Sequence, residues 1–335
     1  MKSIPMVPAL LFKAATTALD NLGFSSERIV EKTGIPLWQH CESQTMVPGD
    51  HFYRLVGQAA VTLGTDEFGY LIARHTPVAA LNEFGRQMGQ SLTVYDAVKT
   101  FNRLYTQMSS IDRFWSVEDD EGLWWLRKRV QFAEIAGRQQ MEMGAFHYMI
   151  QTVRLGAGSD WTPEKICLEA QSHAALGRLS DFGDAAIRER QGVSGILIPR
   201  SLLARSIRAE RSSTLPFNAD KLFSEAPSSE FPESLRQLVL SYLSFGHPKI
   251  EEIADVTGLG VRSLQRRLQE HGLTYKLIVD QACFQKAQEY LRDPDLPLVE
   301  IAQQLGYFDQ ANFNRAFRRW AGVTPSEYRL QLHPR

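Results

Sequence analysis

The chain has 335 residues, of which 44% are hydrophobic and 22% charged, and its formal net charge is −1. The length predicts two domains and the composition a soluble globular protein. The charge balance excludes capture of nucleic acid by bulk positive charge, so any such contact must come from how a few basic residues are placed.

The three cysteines, Cys41, Cys167 and Cys283, are far apart and form no CxxC, which points to a reduced, cytoplasmic compartment. His40 and Cys41 are the only His-Cys neighbours, and their spacing makes a poor metal site. No segment approaches the ~20 apolar residues of a membrane span. The short run from Val7 to Phe12 is interrupted by proline and lacks signal-peptide architecture. A cytoplasmic chain with no membrane association is expected.

Residues 7–22 read as an amphipathic helix with Leu11, Ala14, Ala18 and Leu22 on one side. A short helix follows over Ser26–Lys32, ending before Gly34. Pro48-Gly49-Asp50 opens another, with Phe52, Leu55, Val56, Ala59 and Leu63 inward. Glu67–Arg74 and Val78–Gly89 continue the helical run. In Thr93–Met108, Thr93 is the cap and Asp96 sits three residues on. Arg113–Val117 and Leu123–Val130 then read as strands joined by the charged turn Glu118–Gly122, an antiparallel hairpin. A helix from Ala133 to Arg154, strands at Lys165–Glu169 and Gly195–Pro199, and a helix over Ser201–Arg208 follow. Helices first and a small, mostly antiparallel sheet after them predict an α+β domain over 1–209. Serines and prolines interrupt all periodicity over 210–231, which reads as a linker.

Residues 232–335 predict an all-α domain containing two helix-turn-helix units joined by a long helix. The first unit has Ile253-Ala254, Gly258, Leu264 and Leu268; the second has Ile301-Ala302, Gly306, Phe313 and Phe317. Each needs an apolar-Ala pair, a glycine where the turn requires positive φ, and an apolar stripe that docks the second helix. At 100° per residue from Leu264, Arg262, Arg266 and Gln269 point away from the core, with Gln265 on the flank. From Phe313, Ala311, Arg315 and Arg318 point away, with Asn314 on the flank and Gln310 near the helix start. Arg suits guanine edges, Asn and Gln suit adenine, and an Ala methyl can meet a thymine methyl. Arg262, Gln265, Arg266, Ala311, Asn314 and Arg315 are therefore candidates for base edges. Gln310 is a candidate for a base or a phosphate, and Gln269 and Arg318 for phosphates, which position without specifying. From residue 231 onward, 13 Lys+Arg stand against 12 Asp+Glu, so the basic residues are placed, not abundant. The helical periodicity of Thr274–Leu291 gives about 27 Å of helix between the units, near the roughly 34 Å of one DNA turn.

The stretch from Gly306 through Phe313, Phe317 and Trp320 to Thr324-Pro325 and Tyr328-Arg329 resembles the signature of AraC/XylS-type transcription regulators. Thr324, Pro325 and Glu327 form a capping box at its end. Gly260 stands where that family often has a serine cap. The N-terminal region is too helical for a jelly roll and resembles the mixed α/β, arabinose-binding-type domain of one subset of the family. The resemblance implies a sequence-specific regulator on double-stranded promoter DNA, an activator or repressor. It implies a homodimer through the N-terminal domain, with the helices at Thr93–Met108 and Ala133–Arg154 as the candidate interface. It admits a small-molecule effector and a contact with RNA polymerase. The alternatives are a constitutive dimer whose N-terminal domain binds a protein partner, and an architectural DNA binder.

GxSxG, HExxH and P-loop motifs are absent, so no enzyme activity, catalytic residue, metal or cofactor is expected. The aromatic residues Phe101, Tyr105, Phe114, Trp115, Trp124 and Trp125 could line an effector pocket or simply pack the core. Arg127, Lys128 and Arg129 read as a solvated strand face in preference to an anion site.

Overall fold

A computed structural model describes residues 3–36, 38, 41, 45–78, 81–129, 137–169, 176, 179–207 and 227–333, apart from the side chains of residues 82, 83 and 244. The chain divides into two units, one of residues 7–45 and 49–227 and the other of residues 1–6, 46–48 and 228–335. Most of the expected linker, and His40, lie outside the described residues. Among the described residues no helix is long and apolar enough to cross a membrane, and no group of side chains could hold a metal ion.

The first unit is α+β. Strand β1 (Met6–Pro8) leads into it from the other unit, to which β2 (Met46–Pro48) belongs. Helices α1 (Ala9–Asn21), α2 (Ser26–Thr33), α3 (Gly49–Leu63), α4 (Phe68–His75), α5 (Asn82–Gly89) and α6 (Val94–Met108) come before the main sheet. The Thr93 hydroxyl accepts from the Asp96 amide at 3.2 Å, and the Asp96 carboxylate accepts from the Thr93 amide at 3.1 Å. That reciprocal cap starts α6 and leaves Val94, Ala97, Val98, Phe101 and Leu104 buried on one stripe. The hairpin of β3 (Asp112–Glu118) and β4 (Gly122–Arg129) follows, its turn closed by Asp119, which accepts from the amides of Glu121 and Gly122. With β5 (Lys165–Cys167), β6 (Ala186–Arg188) and β7 (Ser194–Pro199) it makes a five-stranded sheet in the order β3-β4-β7-β5-β6, antiparallel except for β5–β6. The core lies between that sheet and α6 with α7 (Arg138–Ala157).

Several expectations need correcting. In α1, Ala14 and Ala18 are buried as expected, but Phe12, Ala15 and Leu19 are the other core-facing residues, Leu11 is half-buried, and Leu22, past the helix end, is 38% exposed. Strand β6 is exposed throughout and gives no alternation to read. The helix expected over Ser201–Arg208 is only α8 (Arg200–Leu203), because the Ile207 amide bonds the Leu92 carbonyl and draws the chain out of it. Arg127 and Arg129 are not a solvated face. Arg127 is 2% exposed and bonds Asp112 at 2.8 Å, and Arg129 is buried beside Glu169; only Lys128 faces out. Lys128 lies opposite Arg127 and Arg129 on the strand, and the buried carboxylates make the face of the two arginines the inner one. Helix α7 is enclosed by α3, α4, α6 and the sheet, with buried residues around its whole circumference, so its apolar breadth belongs to the core and not to a dimer interface.

The second unit is all-α: α9 (Phe231–Tyr242), α10 (Ile250–Thr257), α11 (Val261–Glu270), α12 (Tyr275–Leu291), α13 (Leu298–Gln304), α14 (Gln310–Ala321) and α15 (Pro325–Leu332). Helix α9 packs along α12, and its Ser234 hydroxyl accepts the amide of Ile4 at 2.9 Å, which ties the first residues of the chain to this unit. Both turn glycines adopt left-handed backbone, Gly258 at φ 63° and Gly306 at φ 75°. A Cβ at Gly258 would meet open space, whereas one at Gly306 would lie 3.1 Å from the His247 amide nitrogen. Gly258→Ala should therefore cost about 1–2 kcal/mol from backbone strain alone, and Gly306→Ala distinctly more. Thermal unfolding of the two variants checks this; equal losses would mean that residues 246–247 yield freely.

In the first unit, His51 is buried and accepts a hydrogen bond from Trp38 Nε1 at 3.0 Å. Burial, helped by the charge of Arg54, pushes its imidazole down to about 3. The unfolded chain binds that proton more readily, so the contribution is complete above the ordinary histidine range and is lost as pH falls toward 3. Between pH 7 and pH 5 the loss should be about 2 kcal/mol. Urea unfolding of this unit should show a steeper pH dependence in the natural protein than in His51→Gln; parallel curves would refute it.

Candidate nucleic-acid interface

Each helix-turn-helix unit is built by burying one stripe. In α11, Leu264 and Leu268 are fully buried, and in α14 so are Phe313 and Phe317. Ile253 and Ala254 of α10, and Ile301 and Ala302 of α13, form the complementary surfaces. The opposite faces are left in water. Arg262, Gln265, Arg266 and Gln269 are all exposed on α11, as are Ala311, Arg315 and Arg318 on α14. Gln310 is half-buried. Asn314 is also half-buried, and its Oδ1 is enclosed without a hydrogen-bond partner, so it presents less to solvent than its wheel position suggests.

The helix starts differ. Gly260 precedes α11 with extended backbone and no side-chain cap, whereas Asp309 caps α14 by accepting from the Asn312 amide at 2.6 Å. Asp309 also accepts from Asn312 Nδ2 at 2.9 Å, and Asn312 Oδ1 accepts from Arg315 Nη2 at 2.5 Å. This chain of three side chains holds the Arg315 guanidinium against the helix start. Sequence reasoning missed Asn312; the i, i+3, i+6 spacing of Asp309, Asn312 and Arg315 was the available signal. On α11 the restraint is weaker. Arg266 lies 3.9 Å from Glu270, both well exposed, a pair worth little in water.

Beside α14 a groove of about 450 Å³ brings together Lys276, Arg315 and Arg319. Arg319 is tied to Asp280 at 2.9 Å, so that carboxylate already has a cation. Behind the groove the Cys283 sulfur lies 3.5 Å from His247 Nε2. Burial, with Asp280 nearby, pushes that thiol up to about 12, so it stays protonated and unreactive.

Two helix-turn-helix units, each with a docked apolar stripe and a polar outer face and joined by α12, define a double helix-turn-helix DNA-binding domain. Residues 253–331 match the helix-turn-helix domain model, and residues 23–207, more than half of the chain, match the arabinose-binding domain of AraC transcription regulators, N-terminal. The chain belongs to the AraC/XylS family of transcription regulators, in the group with an arabinose-binding-type N-terminal domain. It is 44% identical over 82 residues to the ornithine utilization regulator of Pseudomonas aeruginosa, covering 24% of each chain. It is 34% identical over 170 residues to the HTH-type transcriptional regulator VirS of Mycobacterium tuberculosis, covering 47% of this chain and 48% of VirS. The chain thus spans half or less of the length of these curated relatives. Among solved structures, the transcriptional regulator CdpR from Pseudomonas aeruginosa aligns over 96% of this chain and 98% of its own, at 18% identity and a TM-score of 0.45. These relatives are transcription regulators, and none is an enzyme.

The Asp309–Asn312–Arg315 chain has a measurable consequence. Asn312→Ala should weaken binding to the preferred DNA by about 1 kcal/mol and relax preference at one base position, leaving non-specific affinity unchanged. Titration against specific and scrambled duplexes checks this, and equal weakening on both would make Arg315 a backbone contact.

Proposed function

We propose that this regulator reads two successive major-groove segments on one face of promoter DNA, one with each recognition helix, and that a small molecule bound to the N-terminal domain modulates it. The observation that carries the first half is the pairing of two exposed polar faces, each fixed by its own buried stripe, on either side of α12. Seventeen residues of helix span about 26 Å, compatible with neighbouring major-groove segments. Arg262, Gln265, Arg266, Ala311 and Arg315 are the side chains for base edges. Asn314 joins them if its half-buried amide turns outward. Gln310, near the helix start, contacts a base or a phosphate, and Gln269 and Arg318 contact phosphates. The near-neutral net charge favours reading over indiscriminate attraction, which speaks against an architectural binder.

The effector half is supported by the match of residues 23–207 to an arabinose-binding-type domain and by a cavity within that domain. An effector acts only through different affinities for two states of the protein. A homodimer through the N-terminal domain and a contact with RNA polymerase remain part of the proposal.

Selection of bound duplexes from a random pool by the full-length protein, at several salt concentrations, tests the reading. The expected result is a bipartite motif with parts about one turn apart, in two copies if the protein binds as a dimer. Failure to enrich any sequence, with the protein folded, would sink it.

A further inference from the structure

The α+β unit holds a partly open cavity of about 70 Å³ among its own helices and sheet. Its walls are apolar almost throughout, formed by Phe52, Ile72, Phe84, Phe101 and Phe114 with the flexible Met141. Two polar features break that wall. At one, Asp112 accepts from Arg127 Nη2 at 2.8 Å and from the Tyr105 hydroxyl at 3.3 Å. Both charges are buried and pair with each other, although Arg127 Nε has no partner, and the Asp112 carboxylate keeps lone pairs free to accept. At the other, Tyr148 has a buried hydroxyl with no hydrogen-bond partner. Burial pushes that phenol well above its usual range, so it stays a donor. A buried donor without an acceptor is a standing cost that a ligand oxygen would remove.

We propose that this cavity is the effector site and that it takes a compact, mostly apolar, uncharged molecule with a single hydroxyl: a short aliphatic alcohol. This rests on the reading of the N-terminal domain as an effector-sensing domain. The ligand oxygen accepts from Tyr148 and its hydroxyl proton goes to Asp112, while the alkyl group fills the space among the phenylalanines. A cavity of about 150 Å³ holds the six carbons of benzene, so in proportion this one holds about three non-hydrogen atoms, the size of ethanol. The same walls argue against a pentose, whatever the domain family is called. A sugar carries a hydroxyl on nearly every carbon, and against these phenyl rings most would be buried without partners. A carboxylate or ammonium ligand fares no better, because Arg127 and Asp112 already neutralise each other.

The cavity also has a covalent route to the DNA-binding unit. Pro8 and Phe52 line it. Each stands a few residues after a segment, 1–6 or 46–48, that belongs to the unit carrying the recognition helices. Ordering the walls therefore constrains the chain where it leaves the sensing unit.

The test uses the full-length protein with methyl-labelled methionine. Of the eight methionines, Met108 and Met141 line the cavity. Titration with methanol through 1-butanol should give saturable shifts of those two signals, assigned by Met→Leu variants. Affinity should rise about fourfold per added methylene and then level off at the cavity's length. Ala145→Leu, which fills the cavity, should abolish the shifts; Tyr148→Phe should weaken binding severalfold while keeping the chain-length trend. Absence of saturable shifts with every alcohol, or tighter saturation of the same signals by L-arabinose, would overturn the proposal. Duplex binding with and without saturating alcohol separates the two readings. Binding that leaves DNA affinity unchanged would overturn the effector role of the site, although the cavity would still have a ligand. DNA selection without any alcohol binding would overturn the site and leave the regulator intact.

Discussion

The seating of Phe313 and Phe317 decides which side chains of α14 face outward. Phe317 packs edge-on against Phe313, Trp320 and Tyr328 and tilts against Phe284 of α12. Phe313 leans on Tyr307 in the turn. Helical geometry then leaves no freedom: with those two rings inward, Ala311, Arg315 and Arg318 must point out. The first unit achieves the same with smaller residues, Leu264 and Leu268, while Arg267 lays its guanidinium over the Phe231 ring 5.4 Å away. The polar outer faces are thus set by aromatic and aliphatic packing on the far side of the same helices.

The α+β unit solves a different problem, that of keeping charges inside an apolar core. Arg127 with Asp112, and Arg129 with Glu169, sit on the inner face of the sheet. Asp181 lies between His147 at 2.6 Å and Arg154 at 2.7 Å. Burial pushes the Asp181 carboxyl up, but the hydrogen bonds and positive charge of His147 and Arg154 outweigh that and hold it down at about 2. Buried pairs of this kind add little stability over apolar residues of the same volume, yet losing one partner is costly. Here they lock α7 and the hairpin in one arrangement, and the Asp112 pair gives the cavity its polar end.

Much of this was legible in the chain itself. The Thr93–Asp96 capping box, the charged turn at 118–122 and the two Ile-to-Gly spacings each rest on local chemistry, and each element stands where that chemistry puts it. The illegible parts depend on partners distant in sequence. Arg127 and Arg129 look like surface residues until Asp112 and Glu169 are seen beside them. Strand β6 has no apolar alternation of its own and exists because β5 offers an edge. The breadth of α7 suited a buried helix and an interface equally well, and only its neighbours distinguish them.

By itself the sequence determined the periodicities, the caps and the turns, and with them the two recognition helices and the side chains on their outer faces. These depend on residues within one or two helical turns of each other. Only the tertiary structure decided what those elements surround: that the aromatic cluster leaves a cavity, that the buried hydroxyl of Tyr148, one of its lining residues, lacks a partner, and that residues 1–6 and 46–48 belong with the DNA-binding unit. Cavities and buried pairs arise where segments far apart in the chain meet, and no local pattern records how closely their side chains fill the space between them.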